Sequence, residues 1–214
     1  MRYHMLFLFL YMFSFKRFFK KDRSLAMHKF LIVGLGNIGL EYENTRHNVG
    51  FRILDLLAEN YACTWEIKKL ASYSSFKKKG RQFILIKPST FMNRSGKAVR
   101  HWALKEKIPL QNILILTDEL HLPFGTIRIK SKGSPAGHNG LRDIEAELNT
   151  PNYARLRFGI GAETKPFDQV KFVLDQWTQQ EDTLLPERLK RCGEAVESFG
   201  LQGLQNTMNL FNGK

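Results

Sequence analysis

The stretch "KFLIVGLGNIGLEYENTRHNVGF" (29–51) joins a short apolar run to a glycine-rich loop and then to the start of a helical pattern. The continuous apolar run at 30–33 predicts a buried strand. Beyond the loop, apolar residues recur at helical spacing and predict a helix over about 48–60; they are Val49, Ile53, Leu54, Leu57 and Ala58. A strand that leads through a loop into a helix indicates an α/β protein.

The rest of the chain repeats this alternation of strand and helix. "SYSSFKKKGRQFILIKP" (72–88) predicts two strands joined at Lys79-Gly80 as a hairpin. Further patterns predict a helix near 94–106, strands at 112–118, 126–131 and 154–160, a helix from Asn139, and mostly helix over 166–211. No repeat or low-complexity linker divides the chain, so we predict one α/β domain over 27–214, with a mixed twisted β-sheet flanked by helices.

Composition and charge narrow the class of protein. The 214 residues are 43% hydrophobic and 25% charged, which fits one folded domain and argues against extensive disorder. The net charge of +13 favours a polyanionic partner, either nucleic acid or a membrane surface. Cys63 and Cys192 lie far apart without metal-ligand spacing, so neither a disulfide framework nor a zinc site is indicated. This cysteine usage favours a reducing compartment.

The first 26 residues differ in character from the rest. "MLFLFLYMFSF" (5–15) is too short to span a membrane, and six cations against one acid give the segment +5, leaving +8 for the remainder. A secretory signal is one interpretation, but most of the positive charge follows the apolar run instead of preceding it. The segment also fits an extension upstream of a true start at Met27, a loosely held tail, or an organelle-targeting remnant. We expect 1–26 to be poorly structured.

The G-x-G-x-x-G at 34–39 raises the possibility of a dinucleotide site. Such a site needs the helix to begin within the glycine motif and an acid about 20 residues later at the end of a second strand. Here eight or nine polar or turn-favouring residues follow Gly39, and the acid at that distance, Asp55, falls inside the predicted helix. The sequence therefore argues against a dinucleotide.

Four loops instead carry amide, imidazole and carboxyl groups at the ends of predicted elements. They contain Asn37, "TRHN" (45–48), "FMN" (91–93), Asp118, and His138-Asn139. Each has an ordinary explanation taken singly, because Asn and Asp favour turns and helix caps; Asn48 in particular fits a cap. Loops at the carboxyl ends of strands are also where α/β proteins form active sites.

Five ordered blocks resemble one family. "LIVGLGN-x-G-x-x-Y-x-x-TRHN-x-G", "KP-x-T-x-MN-x-SG-x-AV", "DEL-x-LP-x-G", "G-x-x-GHNGL" and "RLR-x-GIG" are similar to the bacterial-type peptidyl-tRNA hydrolases, over about residues 29–200. The resemblance implies hydrolysis of the ester between a peptide and the ribose of tRNA. It also implies a monomeric, cytoplasmic α/β enzyme that uses no metal or organic cofactor and has no stable membrane association.

The resemblance also implies residue roles. His47 becomes the base that activates water, and Asp118 fixes its tautomer and stabilises its protonated form. Asn37 distinguishes peptidyl-tRNA from aminoacyl-tRNA, since a site matched to a neutral amide is mismatched to a free ammonium. The residues implied to bind the peptide or the 3′ end are Tyr42, Phe91, Asn93 and Asn139, with Asn93 as the candidate oxyanion donor. No nucleophile motif for an acyl-enzyme is present, so direct attack by water is expected.

Two strands carry alternating cations that are candidates for tRNA phosphate. Arg128 and Lys130 alternate on the strand at 126–131, and Arg155 and Arg157 alternate on the strand at 154–160. Such a face is usually only solvated, but two of them beside the GHNG loop in a basic protein favour phosphate binding. The resemblance assigns contact with the acceptor end to Lys130 and Arg157.

The chain departs from the family pattern at three positions. Ile38 replaces a proline, Ala136 replaces a glycine, and His121 replaces an aspartate, which leaves Asp118 as the acid of its loop. Loss of the glycine constrains the backbone before His138, and the loss of the aspartate bears on the pH optimum.

Some relatives bind RNA in intron splicing without hydrolysis, so a catalytically silent RNA-binding protein is the alternative function.

Overall fold

The computed structural model describes residues 29–161 and 168–213, so the predicted extension at 1–26 lies outside the described residues. Seven strands form one mixed sheet in the order β2-β3-β4-β1-β5-β7-β6. The strands are β1 (Lys29–Gly34), β2 (Glu66–Lys68), β3 (Ala71–Lys78), β4 (Arg81–Pro88), β5 (Ile113–Glu119), β6 (Ile127–Lys130) and β7 (Ala154–Gly159). The central strands β4, β1, β5 and β7 are parallel, while β2, β3 and β6 pair antiparallel at the two sides.

Helices cover both faces of this sheet. They are α1 (Val49–Asn60), α2 (Ser95–Lys105), α3 (Asn139–Leu148), α4 (Gln169–Leu174), α5 (Gln179–Gln202) and α6 (Leu204–Phe211). In β1, Phe30 and Ile32 face the core beneath α1, α5 and α6, whereas Leu31 and Val33 face the core beneath α2 and α3. Because strand side chains alternate between faces, a strand covered on both sides reads as a continuous apolar run.

The glycines of the opening loop serve close packing between β1 and α1. A Cβ at Gly50, in the first turn of α1, would lie 2.5 Å from the backbone nitrogen of Leu35. A Cβ at Gly36 would lie 2.9 Å from the ring of Phe51. The chain after β1 makes two short turns before α1 begins, and the next strand, β2, pairs antiparallel with β3 at the edge of the sheet. This is not a dinucleotide-binding βαβ unit.

Edge strand β6 is joined to the segment that follows α6. The side-chain Oδ1 of Asn212 accepts from the backbone nitrogen of Ile129 at 2.7 Å, and its Nδ2 donates to the Ile129 carbonyl at 2.9 Å. Asn212 comes directly after α6, which packs beside this strand. The amide therefore satisfies one N–H and one C=O of a strand that, among the described residues, pairs with a neighbouring strand on only one side.

The predicted fold class, a mixed sheet flanked by helices, is confirmed. The hairpin turns at Lys79-Gly80 as predicted, and α1, α2 and α3 begin within about two residues of their predicted starts. The sequence patterns missed the short strand β2 and, within the described residues 168–211, the division of the predicted helical stretch into three helices. Among the residues that the structure describes, no helix has the length and apolar character needed to cross a membrane.

Candidate active site

The polar side chains of the predicted loops meet at the carboxyl edge of the parallel strands. The loop after β1 carries Asn37 and leads to His47 in a short turn (Arg46–Asn48) before α1. The loop after β4 carries Phe91 and Asn93, and β5 ends with Asp118 and Glu119. Since β1, β4, β5 and β7 run parallel, their carboxyl ends share one edge of the sheet, where α/β proteins bind ligands.

Two histidines share the carboxylate of Asp118. Nδ1 of His47 lies 3.0 Å from both carboxylate oxygens, and Nε2 of His138 lies 3.0 Å from Oδ1. The two imidazole rings are 5.0 Å apart between centroids. Asp118 is buried, so its charge is stabilised by these partners and not by bulk water. With Nδ1 of His47 held by Asp118, Nε2 is the nitrogen left to act on a substrate.

The surroundings of His138 define its tautomer. Its Nδ1 accepts a hydrogen bond from the backbone nitrogen of Leu141 at 3.3 Å, so the ring proton belongs on Nε2. The single Nε2–H is then shared between Oδ1 of Asp118, at 3.0 Å, and Oγ1 of Thr117, at 2.7 Å. His47, Asp118 and His138 are close enough to be considered as metal ligands. A protonated Nε2 cannot ligate a metal, so the observed contacts fit a hydrogen-bonded cluster better than a metal centre.

The cluster shifts two pKa values in opposite directions. Burial lowers the pKa of His47, but the charge of Asp118 and its hydrogen bond raise that pKa by more, so it lies above the ordinary 6.5. Burial would raise the pKa of Asp118, yet the adjacent His47 and His138 hold it well below the ordinary 3.8. Asp118 is therefore ionised at neutral pH, and His47 is a stronger base than a free imidazole.

Asn37 is held by three hydrogen bonds. Its backbone nitrogen donates to Oδ1 of Asn48 at 2.8 Å, and its carbonyl accepts from Nδ2 of Asn48 at 2.9 Å. Its own side-chain Oδ1 accepts from the backbone nitrogen of Met92 at 2.9 Å. Asn48 was predicted as a helix cap, but its side chain makes no capping bond to α1. Instead it holds the neighbouring loop.

These side chains line a pocket of about 300 Å³. The predicted site residues around it are Asn37, His47, Phe91, Asn93, Asp118, Asn139 and Arg157. An apolar wall is provided by Val170, Val173 and Leu174. A pocket that combines an apolar wall with converging polar groups is typical of a small-ligand or peptide site.

Helix α4 supplies that wall, and Arg46 attaches it to the turn that carries His47. The buried guanidinium of Arg46 lies 4.5 Å from the ring centroid of Phe172 and bonds Oε2 of Glu181 at 2.8 Å. The backbone nitrogen of Arg46 donates to the carbonyl of Asp175 at 3.1 Å. The base and the apolar wall are thus parts of one connected unit.

Other predicted residues lie outside the pocket or have no free surface. Tyr42 is half-buried in the turn Leu40–Tyr42 and is not among the pocket residues. Arg128 and Lys130 are exposed on β6. Arg155 is completely buried, and its NH1 and NH2 donate to the carbonyls of Gly133 and Pro151 at 2.9 Å each. Its geometry is that of a scaffold residue, unlike the phosphate ligand expected from the alternating pattern.

Arg157 has a mixed environment. It is buried, it pairs with Glu119, and its NH2 donates to the Ser134 carbonyl at 2.7 Å, yet it also borders the pocket. Arg155 also donates to the Ser134 carbonyl, at 3.4 Å. The two arginines therefore shape the loop that leads to His138. Alternation in β7 placed both cations on one face correctly but could not show that this loop covers them.

Ala136 shows the consequence of replacing a glycine. Its φ is 49°, in the left-handed region where a side chain is strained.

We expect Ala136→Gly to raise the free energy of unfolding by about 1 kcal/mol, measured by urea denaturation. The same exchange at Ala146, exposed within α3, should lower it by about 0.5–1 kcal/mol. A loss of stability at Ala136 would mean that the left-handed backbone is not strained.

Several pocket residues were not predicted from the sequence. His138 has no role of its own in the sequence prediction, yet this histidine shares Asp118 with His47. Met92 contributes a backbone donor, and α4 contributes the apolar wall. His121, which replaces an aspartate of the family pattern, also borders the pocket. The signal available for His138 was its place beside Asn139 at a helix start.

Comparison with known proteins gives a consistent identification. The family model described as "Peptidyl-tRNA hydrolase" matches residues 31–214. The peptidyl-tRNA hydrolases of Bacteroides fragilis and Phocaeicola vulgatus are 54% and 51% identical over 186 residues, covering 87% of this chain and 100% of each relative. The solved structure of the Acinetobacter baumannii enzyme is 35% identical with a TM-score of 0.81, over 87% of this chain and 96% of that one. The chain therefore belongs to the peptidyl-tRNA hydrolase family.

Proposed function

We propose that the protein hydrolyses the ester bond between a peptide, or an N-blocked amino acid, and the ribose of tRNA. The observation that carries the proposal is the pairing of His47 with Asp118 at 3.0 Å, beside a pocket bordered by three asparagines. Family membership supports the same substrate. A histidine with a free Nε2 and an ionised partner is suited to activate water at neutral pH.

In the proposed reaction, Nε2 of His47 accepts a proton from water as the water oxygen attacks the ester carbonyl carbon. The carbonyl oxygen becomes negative, and a preorganised amide donor from Asn93 stabilises it. The carbon–oxygen bond to the ribose then breaks, and the ribose oxygen takes the proton from His47. Asp118 stays ionised throughout and stabilises the imidazolium, in keeping with its lowered pKa.

The asparagines are arranged to recognise hydrogen-bond acceptors. The Oδ1 of Asn37 is occupied by Met92, and the Oδ1 of Asn139 accepts from Arg142 at 3.1 Å. Among the hydrogen bonds of the described residues, their Nδ2 groups have no partner, so these are the donors available to a ligand. A peptide carbonyl accepts such a bond, whereas a free α-ammonium only donates, so the site favours peptidyl-tRNA over aminoacyl-tRNA.

The exposed Arg128 and Lys130 are the proposed phosphate contacts, with Arg157 at the pocket margin, whereas buried Arg155 offers no surface for phosphate.

We expect Lys130→Ala to weaken tRNA binding without changing kcat and to reduce the slope of log affinity against log salt by about 0.7–0.9. Filter binding between low and moderate salt measures this slope. Lys77→Ala, which alters another exposed lysine, in β3, should leave it unchanged. An unaltered slope for Lys130→Ala would remove Lys130 from the phosphate surface.

The experiment that tests the function measures release of N-acetyl-phenylalanine from N-acetyl-phenylalanyl-tRNA, with EDTA present. Rapid release by the parent, unaffected by chelation, supports a metal-independent esterase. Tight, salt-sensitive tRNA binding without release would contradict the enzyme proposal and favour the RNA-binding alternative.

Because peptidyl-tRNA arises during translation, we also propose that the protein acts in the cytoplasm, as a monomer and without stable membrane association. Gel filtration tests whether it is a monomer.

A further inference from the structure

The buried side-chain amide of Asn48, the residue after the base His47, bonds the backbone of Asn37. We propose that Asn48 is a positioning residue that sets the orientation of Asn37, and through it the preference for N-blocked substrates. This inference rests on the proposed function. It adds a residue that touches no substrate, because Asn48 is buried and is not among the pocket residues.

Asn48 holds the backbone of Asn37 at two points. It bonds both the backbone nitrogen and the carbonyl of Asn37, at 2.8 and 2.9 Å. One amide that accepts from the N–H and donates to the C=O of the same residue fixes both the position and the rotation of that backbone unit. Asn37 lies in a loop after β1, outside any strand or helix, so regular backbone pairing does not supply these bonds.

The fixed backbone in turn determines the orientation of the Asn37 side chain. Asn37 reaches the Met92 nitrogen through Oδ1 at 2.9 Å. An amide can turn over and exchange its oxygen and nitrogen, but the turned amide would place Nδ2 against the Met92 N–H, and two donors would then meet. The fixed orientation presents Nδ2 to the pocket. A donor at this position can bond a peptide carbonyl, which is an acceptor. It disfavours an ammonium, which is itself a donor.

The turn Arg46–Asn48 links this orientation to catalysis. Asn48 is adjacent in sequence to His47, and both belong to that turn. In this turn, therefore, His47 is the base, and the next residue, Asn48, aligns the amide of Asn37. Specificity and proton transfer remain separable, because His47 is held through Asp118 and Asn48 makes no contact with that carboxylate among the hydrogen bonds of the described residues.

The test compares kcat/KM for N-acetyl-phenylalanyl-tRNA with kcat/KM for phenylalanyl-tRNA. Asn48→Leu keeps a similar volume and removes both bonds to Asn37. We expect the ratio of the two values to fall at least about tenfold, mainly through the N-blocked substrate. The pH at which activity rises should not move, since the pair of His47 and Asp118 is intact. A ratio within about twofold of the parent, in folded protein, would overturn the proposal.

Two further variants separate positioning from a general loss of structure. Asn212→Leu removes the same pair of bonds, from Ile129 in β6, and should leave the ratio unchanged. Asn37→Ala should lower the ratio by itself, and adding Asn48→Leu should then have little further effect. Additive effects would show that Asn48 acts by another route and would contradict the inference. If the parent does not cleave the ester of N-acetyl-phenylalanyl-tRNA, the proposed function fails before this inference is reached.

A measurement on the parent protein covers the case in which Asn48→Leu does not fold. The backbone amide of Asn37 should exchange with solvent deuterium at least about tenfold more slowly than an exposed loop amide, because Asn48 accepts from it. The amide of Ala136, in another exposed loop, serves as the comparison. Equal exchange rates at the two positions would show that the Asn48 contact does not persist in solution, and would overturn the proposal.

Discussion

His47→Ala should lower kcat/KM for N-acetyl-aminoacyl-tRNA by about 10²–10⁴-fold, the usual contribution of a general base. The loss should fall on kcat, with KM little changed, because Nε2 of His47 is proposed to act on water and not to hold the substrate. Single-turnover release of the N-acetyl amino acid measures the chemical step directly. The substitution leaves the core intact, since the His47 side chain lies at the pocket.

His101→Ala is the matched control for this change. His101 is a half-buried histidine in α2, on a helix that packs against the sheet, and it is not among the pocket residues. Its replacement should leave kcat/KM within about twofold of the parent. If His47→Ala kept activity within about threefold, another group would have to activate the water. Partial recovery of the His47→Ala variant by added imidazole would support the assignment of the base.

Asp118→Asn should both slow the reaction and move its pH dependence to lower pH. In the parent, Asp118 raises the pKa of His47 above 6.5, so activity that needs neutral His47 should rise with pH through a value above 6.5. In the variant, burial still lowers the pKa of His47 while the charge that raised it is gone. The rise should therefore occur below 6.5. The plateau rate should fall by about 10²–10⁴-fold as the imidazolium loses its partner.

The pH profile of kcat/KM, corrected for spontaneous ester hydrolysis, distinguishes this outcome from simple misfolding. A misfolded or misaligned site lowers the rate at every pH but does not move the rise toward acid. Glu119→Gln, which changes the acid beside Asp118 in β5, is the comparison. Its kcat/KM should rise at the same pH as that of the parent, because Glu119 pairs with Arg157 and makes no contact with His47 among the bonds of the described residues. A profile of Asp118→Asn that rises at the same pH as the parent, or at higher pH, would contradict the proposed electrostatic role.

The fold was predictable where local pattern and packing agree. β1 is apolar on both faces because helices cover both, so its continuous run at 30–33 marked it clearly. The hairpin at Lys79-Gly80 has a turn with positive φ at both residues, which its sequence favours through glycine. β2 was missed because Glu66 and Ile67 are exposed and only three residues pair with β3. Such a strand is defined by its neighbour and carries little signal of its own.

The candidate site was predictable in its residue types and less so in its connections. Family resemblance selected His47, Asp118, Asn37, Asn93 and Asn139, all of which border one pocket. The sequence could not show that His138 shares Asp118, because these residues are joined through a tautomer set by the Leu141 backbone. It also could not show that Asn48 turns away from its own helix toward Asn37. Both contacts depend on distances between separate loops.

The amide of Asn212 bears on how copies of this protein behave toward one another. β6 is an outer strand of the sheet that the described residues form, and the free backbone groups of an outer strand offer a template on which a second chain can add a strand. Asn212 occupies the N–H and C=O of Ile129, near the middle of β6. A side chain with both a donor and an acceptor thus takes the place that a neighbouring molecule would otherwise fill. Asn212 therefore helps to keep the strand that carries the proposed phosphate contacts from becoming an aggregation surface.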